Sequence, residues 1–196
     1  MRILSVNNKH ELRILHTKSS PVEKVDGTTR DIVDDMLKIV ERGDTIGLSA
    51  VQLGYSIRVF VINMSSEVFD LSKDIKVISG CHTVEGKSLV CINPKIVSSS
   101  GDNVQMFEGC LSTQSYGLIA INRPGSVDLK YSDLSGNECT IRTYNWLARC
   151  IQHEMDHLEG VLLANVVDNI RNYSVNSVSE EDCSSVCILV VGKHSY

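Results

Sequence analysis

The sequence lacks the features that mark membrane proteins and nucleic-acid-binding proteins. Its 196 residues carry a formal net charge of -5, which gives no electrostatic reason to expect nucleic acid or an anionic membrane as a partner. No apolar run approaches the roughly 20 residues that span a bilayer. The N-terminus also lacks the apolar segment of a secretory signal. We therefore expect a globular protein without either kind of partner.

Internal repeats and linker-like stretches are also missing. A chain of 196 residues is long enough for one well-cored domain, whereas two would be cramped. Helical and strand-like patterns are mixed along the chain, so we predict a single α+β domain over residues 1–169, with antiparallel or mixed β-sheets packed around a central helix. Residues 170–196 are rich in serine, asparagine and glutamate, and we expect them to form a polar, poorly ordered tail.

The seven cysteines do not have the spacing of a disulfide framework. In a chain without a secretory signal, reduced and mostly buried thiols are the expected state of such residues. Cys183 and Cys187, with His194 nearby, leave open a small metal site in the tail, although this segment has no other zinc-finger feature.

Two helices are predicted from apolar residues that recur at helical spacing. The first covers residues 29–42 and begins at a cap formed by Thr28 or Thr29, and the second covers residues 144–158. Residues 65–86 have no clear period and are expected to be a surface excursion with a hairpin. Runs rich in β-branched and aromatic residues predict strands over residues 58–63, 89–92, 95–98, 118–121, 127–131 and 139–143.

The second helix contains the pattern His153-Glu154-x-x-His157. Residues four apart lie on one face of a helix, so the two neutral imidazoles can hold one metal ion, with the glutamate beside it as a base. Trp146 and Cys150 lie on the same face and predict an apolar space next to the metal. The alternative is a core-facing stripe with two hydrogen-bonded histidines, but the intervening glutamate favours the metal.

Cys150 is a poor candidate for a third ligand. It lies seven residues before His157, about 10.5 Å along a straight helix, whereas metal–ligand bonds are about 2.0–2.3 Å long. The third ligand should therefore come from elsewhere in the chain. Helix geometry alone does not choose among the remaining cysteine, aspartate and glutamate residues.

Three separated segments resemble the signature motifs of peptide deformylases. Residues 45–52, Thr-Ile-Gly-Leu-Ser-Ala-Val-Gln, are similar to the family's Gly-x-Gly-Leu-Ala-Ala-x-Gln. Residues 108–112 are its Glu-Gly-Cys-Leu-Ser, and residues 152–157 match its Gln-His-Glu-x-Asp-His. The order and spacing also agree, and the likeness runs over about residues 12–168.

This resemblance implies a bacterial-type, iron-dependent metal site. Its ligands would be Cys110, His153 and His157, with water at a fourth, open position. The family's physiological metal is Fe²⁺, one ion per chain, which Zn²⁺, Ni²⁺ or Co²⁺ can replace, and a thiolate ligand suits such ions. Glu154 would take the proton of the water and deliver it to the leaving amine.

The resemblance also implies groups that contact the substrate. The backbone N–H of Leu111 and the side-chain amide of Gln52 would stabilise the oxyanion that forms from the formyl oxygen. Ile46 and Gly47 match positions that line the methionine slot, where a glycine lets a strand-like substrate approach closely. Core packing is the alternative for Ile46 and for the tryptophan of the helix. The predicted substrate-binding residues are Ile46, Gly47, Trp146 and Cys150.

Around the ligands, Arg123 and Asp156 match positions that we expect to form a supporting ion pair. Gln152 would give similar support, with an exposed helix position as its alternative. The sequence departs from the family pattern at three positions, which are Thr45 in place of glycine, Ser49 in place of alanine and Gln114 in place of proline.

The implied activity is that of a metallohydrolase that removes the formyl group from the N-terminal formyl-methionine of newly made polypeptides and releases formate. Its partners would be nascent peptides near the ribosome exit, and the lack of a clear targeting segment favours a bacterial cytoplasm over an organelle. The alternatives are an inactive metal-binding relative and an HExxH zinc peptidase with a third ligand downstream. The downstream candidates for that ligand are Glu159, Glu180, Glu181 and His194.

Overall fold

The computed structural model describes residues 2–43, 45–65, 70–80, 87–168 and 186–187. Within these ranges the chain forms four α-helices, which are α1 (Lys9–Leu15), α2 (Gly27–Val40), α3 (Asn145–Leu158) and α4 (Leu163–Asp168). The strands are β1 (Gly47–Ser49), β2 (Val59–Asn63), β3 (Ile75–Ser79), β4 (Ser88–Ser99), β5 (Asn103–Glu108), β6 (Ile119–Pro124), β7 (Ser126–Ser132), β8 (Glu138–Tyr144) and β9 (Val186–Cys187).

The strands form two sheets. The larger has the order β1-β2-β4-β7-β8-β3, and all its neighbouring strands are antiparallel. The smaller has the order β6-β5-β9, with β5 antiparallel to β6 and parallel to β9. Helix α3 packs against β1, β2, β7 and β8 of the larger sheet and against β6 of the smaller one. The predicted α+β class with a central helix between sheets is confirmed.

Alternation along β2 explains how one sheet serves two cores. Successive side chains of a strand point to opposite faces. Phe60 and Ile62 face the core around α3, while Val59 and Val61 face the core around α2. Because both faces are covered, the strand is fully buried and its first four residues are all apolar. The sheet that carries α3 on one face is therefore packed against α2 on its other face.

The structure corrects two details of the predicted elements. Helix α2 begins at Gly27, and its cap is Asp26, whose carboxylate accepts from the N–H of Thr29 at 2.9 Å. The predicted threonine caps were wrong, because a carboxylate three residues earlier satisfies that N–H. The strands predicted on either side of Pro94 are one strand, β4, with a register shift at a position where Asn93 has φ +51°.

The segment 65–86, predicted as a surface excursion, also contributes a strand to the larger sheet. Its described part includes β3, which pairs with β8 and forms an edge of the larger sheet. The tail contributes β9, while residues 169–185 and 188–196 lie outside the described ranges, as do Cys183 and His194 of the suggested tail site. Within the described part of the chain, no helix is long and apolar enough to cross a membrane.

Candidate metal centre

Three buried side chains converge where β5 ends against α3. Cys110 lies two residues after the end of β5 and precedes a 3₁₀-helix at Leu111–Tyr116, while His153 and His157 extend from α3. Their ligand atoms all lie within 4.8 Å of one another. The sulfur of Cys110 is 3.3 Å from Nε2 of His157. A thiolate and two imidazoles at this spacing suit a divalent transition metal with an open fourth position, so the residues present fit such an ion.

Glu108 orients one of the candidate ligands. Its Oε2 lies 3.0 Å from Nδ1 of His153, so a proton on Nδ1 is donated to the carboxylate and Nε2 is left to act as the ligand. Arg123 donates to both oxygens of Glu108 at 2.7 and 3.0 Å. Arg149 donates to Oε1 at 2.9 Å. The guanidinium of Arg123 also reaches Asp156 at 2.7 Å, so the expected ion pair is present within a larger charged cluster.

The electrostatics of this cluster favour charged forms. Burial alone would raise the pKa of the Glu108 carboxyl, but the hydrogen bond from His153 and the charge of Arg123 outweigh it and hold the pKa well below its usual range. Burial would also raise the pKa of the Cys110 thiol, but the two histidines lower it well below its ordinary value. The chain itself therefore favours the thiolate form that binds metals.

Glu154 is enclosed beside the candidate ligands. Its side chain is buried, and this burial raises the pKa of its carboxyl. Ser49 donates to its Oε2 at 2.7 Å. On the other side, a Cβ at Gly47 would overlap Oε1, so the missing side chain at Gly47 makes room for the carboxylate. A buried carboxylate with a raised pKa is a suitable proton acceptor near neutral pH.

The predicted oxyanion donors, Gln52 and Leu111, both adjoin Cys110. Gln52 is buried, and its Nε2 donates to the Cys110 sulfur at 3.5 Å and to Ser112 Oγ at 3.2 Å. Its Oε1 accepts from the N–H of Ser49 at 2.9 Å, which fixes which end of the amide faces the sulfur. Leu111 is the first residue of the 3₁₀-helix, where backbone N–H groups have no partner within the helix.

The predicted apolar slot coincides with part of the main core. Ile46 and Cys150 are buried in one cluster, against which the half-buried Trp146 packs. Gln152 is buried and donates to the carbonyls of Pro124 and Ala148 at 2.9 and 3.0 Å. It therefore ties α3 to the end of β6 and does not occupy an exposed position.

Three residues of the site were not assigned a role from the sequence. Glu108 was visible as the first residue of its motif, and Arg149 as a charge four residues before His153 on the same helix face. Ser49 was noted only as a departure from the family pattern. Their partners are distant in sequence, and the pattern of a single segment does not show such contacts.

Among the described residues, the one downstream candidate for a peptidase-like third ligand is engaged in ion pairs. Glu159 pairs with Arg58 at 2.6 Å and with Lys18 at 2.7 Å, near the end of α3. Glu180, Glu181 and His194 lie outside the described residues.

Comparisons with known proteins agree on one family. The model of the polypeptide deformylase family matches residues 1–173. A peptide deformylase of Caulobacter vibrioides is 37% identical over 170 residues, covering 87% of this chain and 89% of that protein. One of Wolbachia sp. subsp. Brugia malayi is 39% identical over 159 residues, covering 80% and 83%.

Solved structures give the same result. The crystal structure of peptide deformylase from Ehrlichia chaffeensis has a TM-score of 0.71 at 37% identity and covers 87% of this chain and 89% of that one. A structure of peptide deformylase from the same organism in complex with actinonin has a TM-score of 0.69 at 35% identity, with coverages of 87% and 90%.

Proposed function

The chain belongs to the polypeptide deformylase family, and we propose how its own residues remove the formyl group from the N-terminal formyl-methionine of newly made polypeptides. The observation that carries the proposal is the convergence of Cys110, His153 and His157 beside the enclosed carboxylate of Glu154. In this arrangement the three ligands would hold the metal, and the carboxylate would accept and donate the protons that the hydrolysis transfers. Formate and a peptide with a free N-terminal methionine are the products.

The enzyme is metal-dependent, and we infer that Fe²⁺ is its physiological ion, with Zn²⁺, Ni²⁺ or Co²⁺ as substitutes. When bound, the metal supplies a Lewis acid that makes hydroxide available near neutral pH. One thiolate and two imidazoles suit this borderline-soft group of ions. Metal analysis of protein purified without oxygen, and again after exposure to air, tests this assignment.

Proton transfer is assigned to Glu154. Its carboxylate accepts a proton from the attacking water and later delivers it to the amine that leaves. Burial keeps the pKa of this group above its ordinary value, which makes it a better base than an exposed glutamate. The contacts with Ser49 and Gly47 limit the positions that the carboxylate can take.

Charge stabilisation is assigned to Gln52 and Leu111. The formyl oxygen gains negative charge as the carbon becomes tetrahedral, and a side-chain amide and a backbone N–H can each donate to it. The Nε2 atom of Gln52 is already directed towards the ligand sulfur. Because its Oε1 is held by the backbone N–H of Ser49, the amide keeps its orientation, and one of its two N–H groups would exchange the Cys110 sulfur or Ser112 for the oxyanion.

We infer that the substrate lies along β1 with its methionine side chain against the apolar cluster of Ile46, Cys150 and Trp146. The exposed portion of Trp146 would form the rim of this slot. N-formylmethionyl peptides emerging from the ribosome are the inferred partners, and a bacterial cytoplasm is the inferred location, because such peptides are made there.

A product assay distinguishes this function from the alternatives. The purified chain is incubated with a formyl-Met tripeptide and with a longer peptide that has a free N-terminus. We expect formate and the intact deformylated tripeptide from the first substrate, and no cleavage of the second. Internal peptide-bond cleavage without formate would support a peptidase, and a metal-loaded chain that produces neither would support an inactive relative.

A further inference from the structure

Ser49 stands where the family motif has alanine, and its hydroxyl contacts the proposed base. The residue is fully buried at the end of β1. Its Oγ lies 2.7 Å from Oε2 of Glu154 and 3.1 Å from the backbone oxygen of the same residue. A hydroxyl has one hydrogen to donate. The shorter contact to the carboxylate is a charge-assisted hydrogen bond, which is stronger than a bond between neutral groups.

The strand that carries Ser49 limits the carboxylate from two directions. One oxygen accepts from Ser49, while the other occupies the space that a Cβ at Gly47 would fill. Strand β1 is itself fixed by pairing with β2, where Gly47 lies opposite Ile62 and Ser49 opposite Phe60. The carboxylate is therefore held against a rigid element and not by side chains alone.

The same residue connects the base to the oxyanion donor. The backbone N–H of Ser49 donates to Oε1 of Gln52 at 2.9 Å, while its hydroxyl donates to Glu154. One residue thus sets the orientation of two groups that must both face the formyl carbon. Reaction rates depend steeply on such alignment, since misplacement of a catalytic group by about 1 Å can cost on the order of a hundredfold.

We propose that the Ser49 hydroxyl is a positioning residue for catalysis, which holds the Glu154 carboxylate in its productive orientation. This inference rests on the proposed function, because it assigns a role to a group that acts through Glu154. The hydroxyl acts on turnover and not on metal binding or substrate affinity, since both of its contacts with hydrogen-bond acceptors are to Glu154 and neither is to a candidate ligand atom.

The test measures formate release from a formyl-Met tripeptide by the metal-loaded full chain. For Ser49→Ala we expect kcat to fall about threefold to tenfold, part of the roughly 10²–10⁴-fold that a general base contributes. KM should stay within about twofold, and the metal content per chain should not change, as expected when an interaction specific to the transition state is lost. Ser49→Thr keeps the hydroxyl and should recover most of the lost kcat.

Ser88→Ala is the matched control. Ser88 is also fully buried, and its hydroxyl has no hydrogen-bond partner among the described residues. It should leave kcat and KM unchanged, which separates the loss of a bonded hydroxyl from the loss of a buried oxygen. If Ser49→Thr fails to fold because of its extra methyl group, the comparison of Ser49→Ala with Ser88→Ala still tests whether the Ser49 hydroxyl contributes to kcat.

An unchanged or increased kcat in Ser49→Ala would overturn the inference, and so would a fall in kcat accompanied by loss of metal. These outcomes are distinct from a failure of the proposed function. If the wild-type chain releases formate and Glu154→Ala does not, the function stands, whatever Ser49→Ala does. If the metal-loaded wild-type chain releases no formate, the proposed function itself fails.

Discussion

Among the single residues of the site, Gly47 determines how closely β1 can approach Glu154. A Cβ at this position would overlap Oε1 of the carboxylate. The end of a flexible side chain can move away, so we expect Gly47→Ala to fold and to bind metal. The displaced base should lower kcat/KM by about a hundredfold, as measured by formate release. Gly27→Ala is the control, because a Cβ there meets nothing within 4 Å, and it should keep full activity.

The Glu108 carboxylate should make the stability of the folded protein depend on pH. The pKa of the Glu108 carboxyl is lowered in the folded protein. Its contribution to the free energy of unfolding is therefore fully present above the unfolded-state pKa of about 4.3. The contribution is lost as the pH falls through the lower folded-state value. Glu108→Gln leaves two buried arginines facing a neutral group, and we expect the free energy of unfolding to fall by about 3–5 kcal/mol at neutral pH.

Urea unfolding of the metal-free wild type and Glu108→Gln between pH 7 and pH 3 measures the difference between their free energies of unfolding. We expect this difference to become smaller as the pH falls below the unfolded-state pKa of the carboxyl. A difference that stays constant over the whole range would contradict the assignment. Asp128→Asn is the control, since Asp128 pairs with the exposed Arg142. Such a pair contributes only up to about 1 kcal/mol.

The sequence indicated many residues of the site but not their surroundings. His153 and His157 are recognisable because helix periodicity places them together. Cys110 was assigned only through the resemblance of its motif, since geometry within one helix left the third ligand open. The contacts of Ser49 with Glu154 span 105 positions of sequence, and no local pattern predicts such a separation.

At the scale of elements, the position of α3 depends on how its C-terminal end meets α1. Gly160 follows the helix with φ +73°, and a Cβ there would overlap the backbone oxygen of His16, just after α1. Nδ1 of His16 is also 2.9 Å from the Gly160 carbonyl oxygen. The backbone just after α1 therefore packs directly on the turn that ends α3.

Gly160→Ala should reduce stability through this contact. The left-handed backbone costs a non-glycine residue about 1–2 kcal/mol, and the overlap with a backbone atom should add about 1–3 kcal/mol. Gly43→Ala is the matched control, because Gly43 has φ +83° but open space around it. Urea unfolding of both variants should show the larger loss for Gly160→Ala. Equal losses would show that the contact with α1 has no energetic effect.

Elements in which apolar residues recur at a regular spacing over many residues were predictable. Short elements, and those that mix polar and apolar residues without such spacing, were not. Helices α2 and α3 each extend over 14 residues, and their apolar stripes were found within two residues of the observed bounds. Helix α1 has only seven residues, too few for a clear period. Strand β5 is half exposed and mixes polar with apolar residues, although it leads to Cys110, the proposed ligand.

At the scale of the whole molecule, the two sheets bring three distant segments to one place. The larger sheet supplies β1 with the contacts of the base, and the smaller sheet supplies the cysteine after β5. Helix α3 supplies both histidines between them. Helix α4 closes this region, since Leu163 and Val166 pack with Cys110. The complete site therefore lies within residues 46–168.

We propose that residues 1–169 form the catalytic domain and that residues 170–196 are a tail. A chain ending at residue 169 keeps α4 and all the assigned site residues. It loses β9, whose two described residues pair with β5. We expect this shortened chain to fold and to keep kcat/KM within about threefold of the full chain, because the assigned site keeps the positioning on which rate depends. A tenfold or greater loss would show that the tail belongs to the catalytic unit.

The most direct test of the central claim measures bound metal and formate release on the same preparations of wild type, Glu154→Ala and Cys110→Ala, all purified without oxygen. The account predicts one metal ion per chain and full activity for wild type. Glu154→Ala should keep its metal and lose turnover by about 10²–10⁴-fold, whereas Cys110→Ala should lose both. Formate release that survives both substitutions, or a Cys110→Ala chain that keeps its metal and its activity, would contradict it.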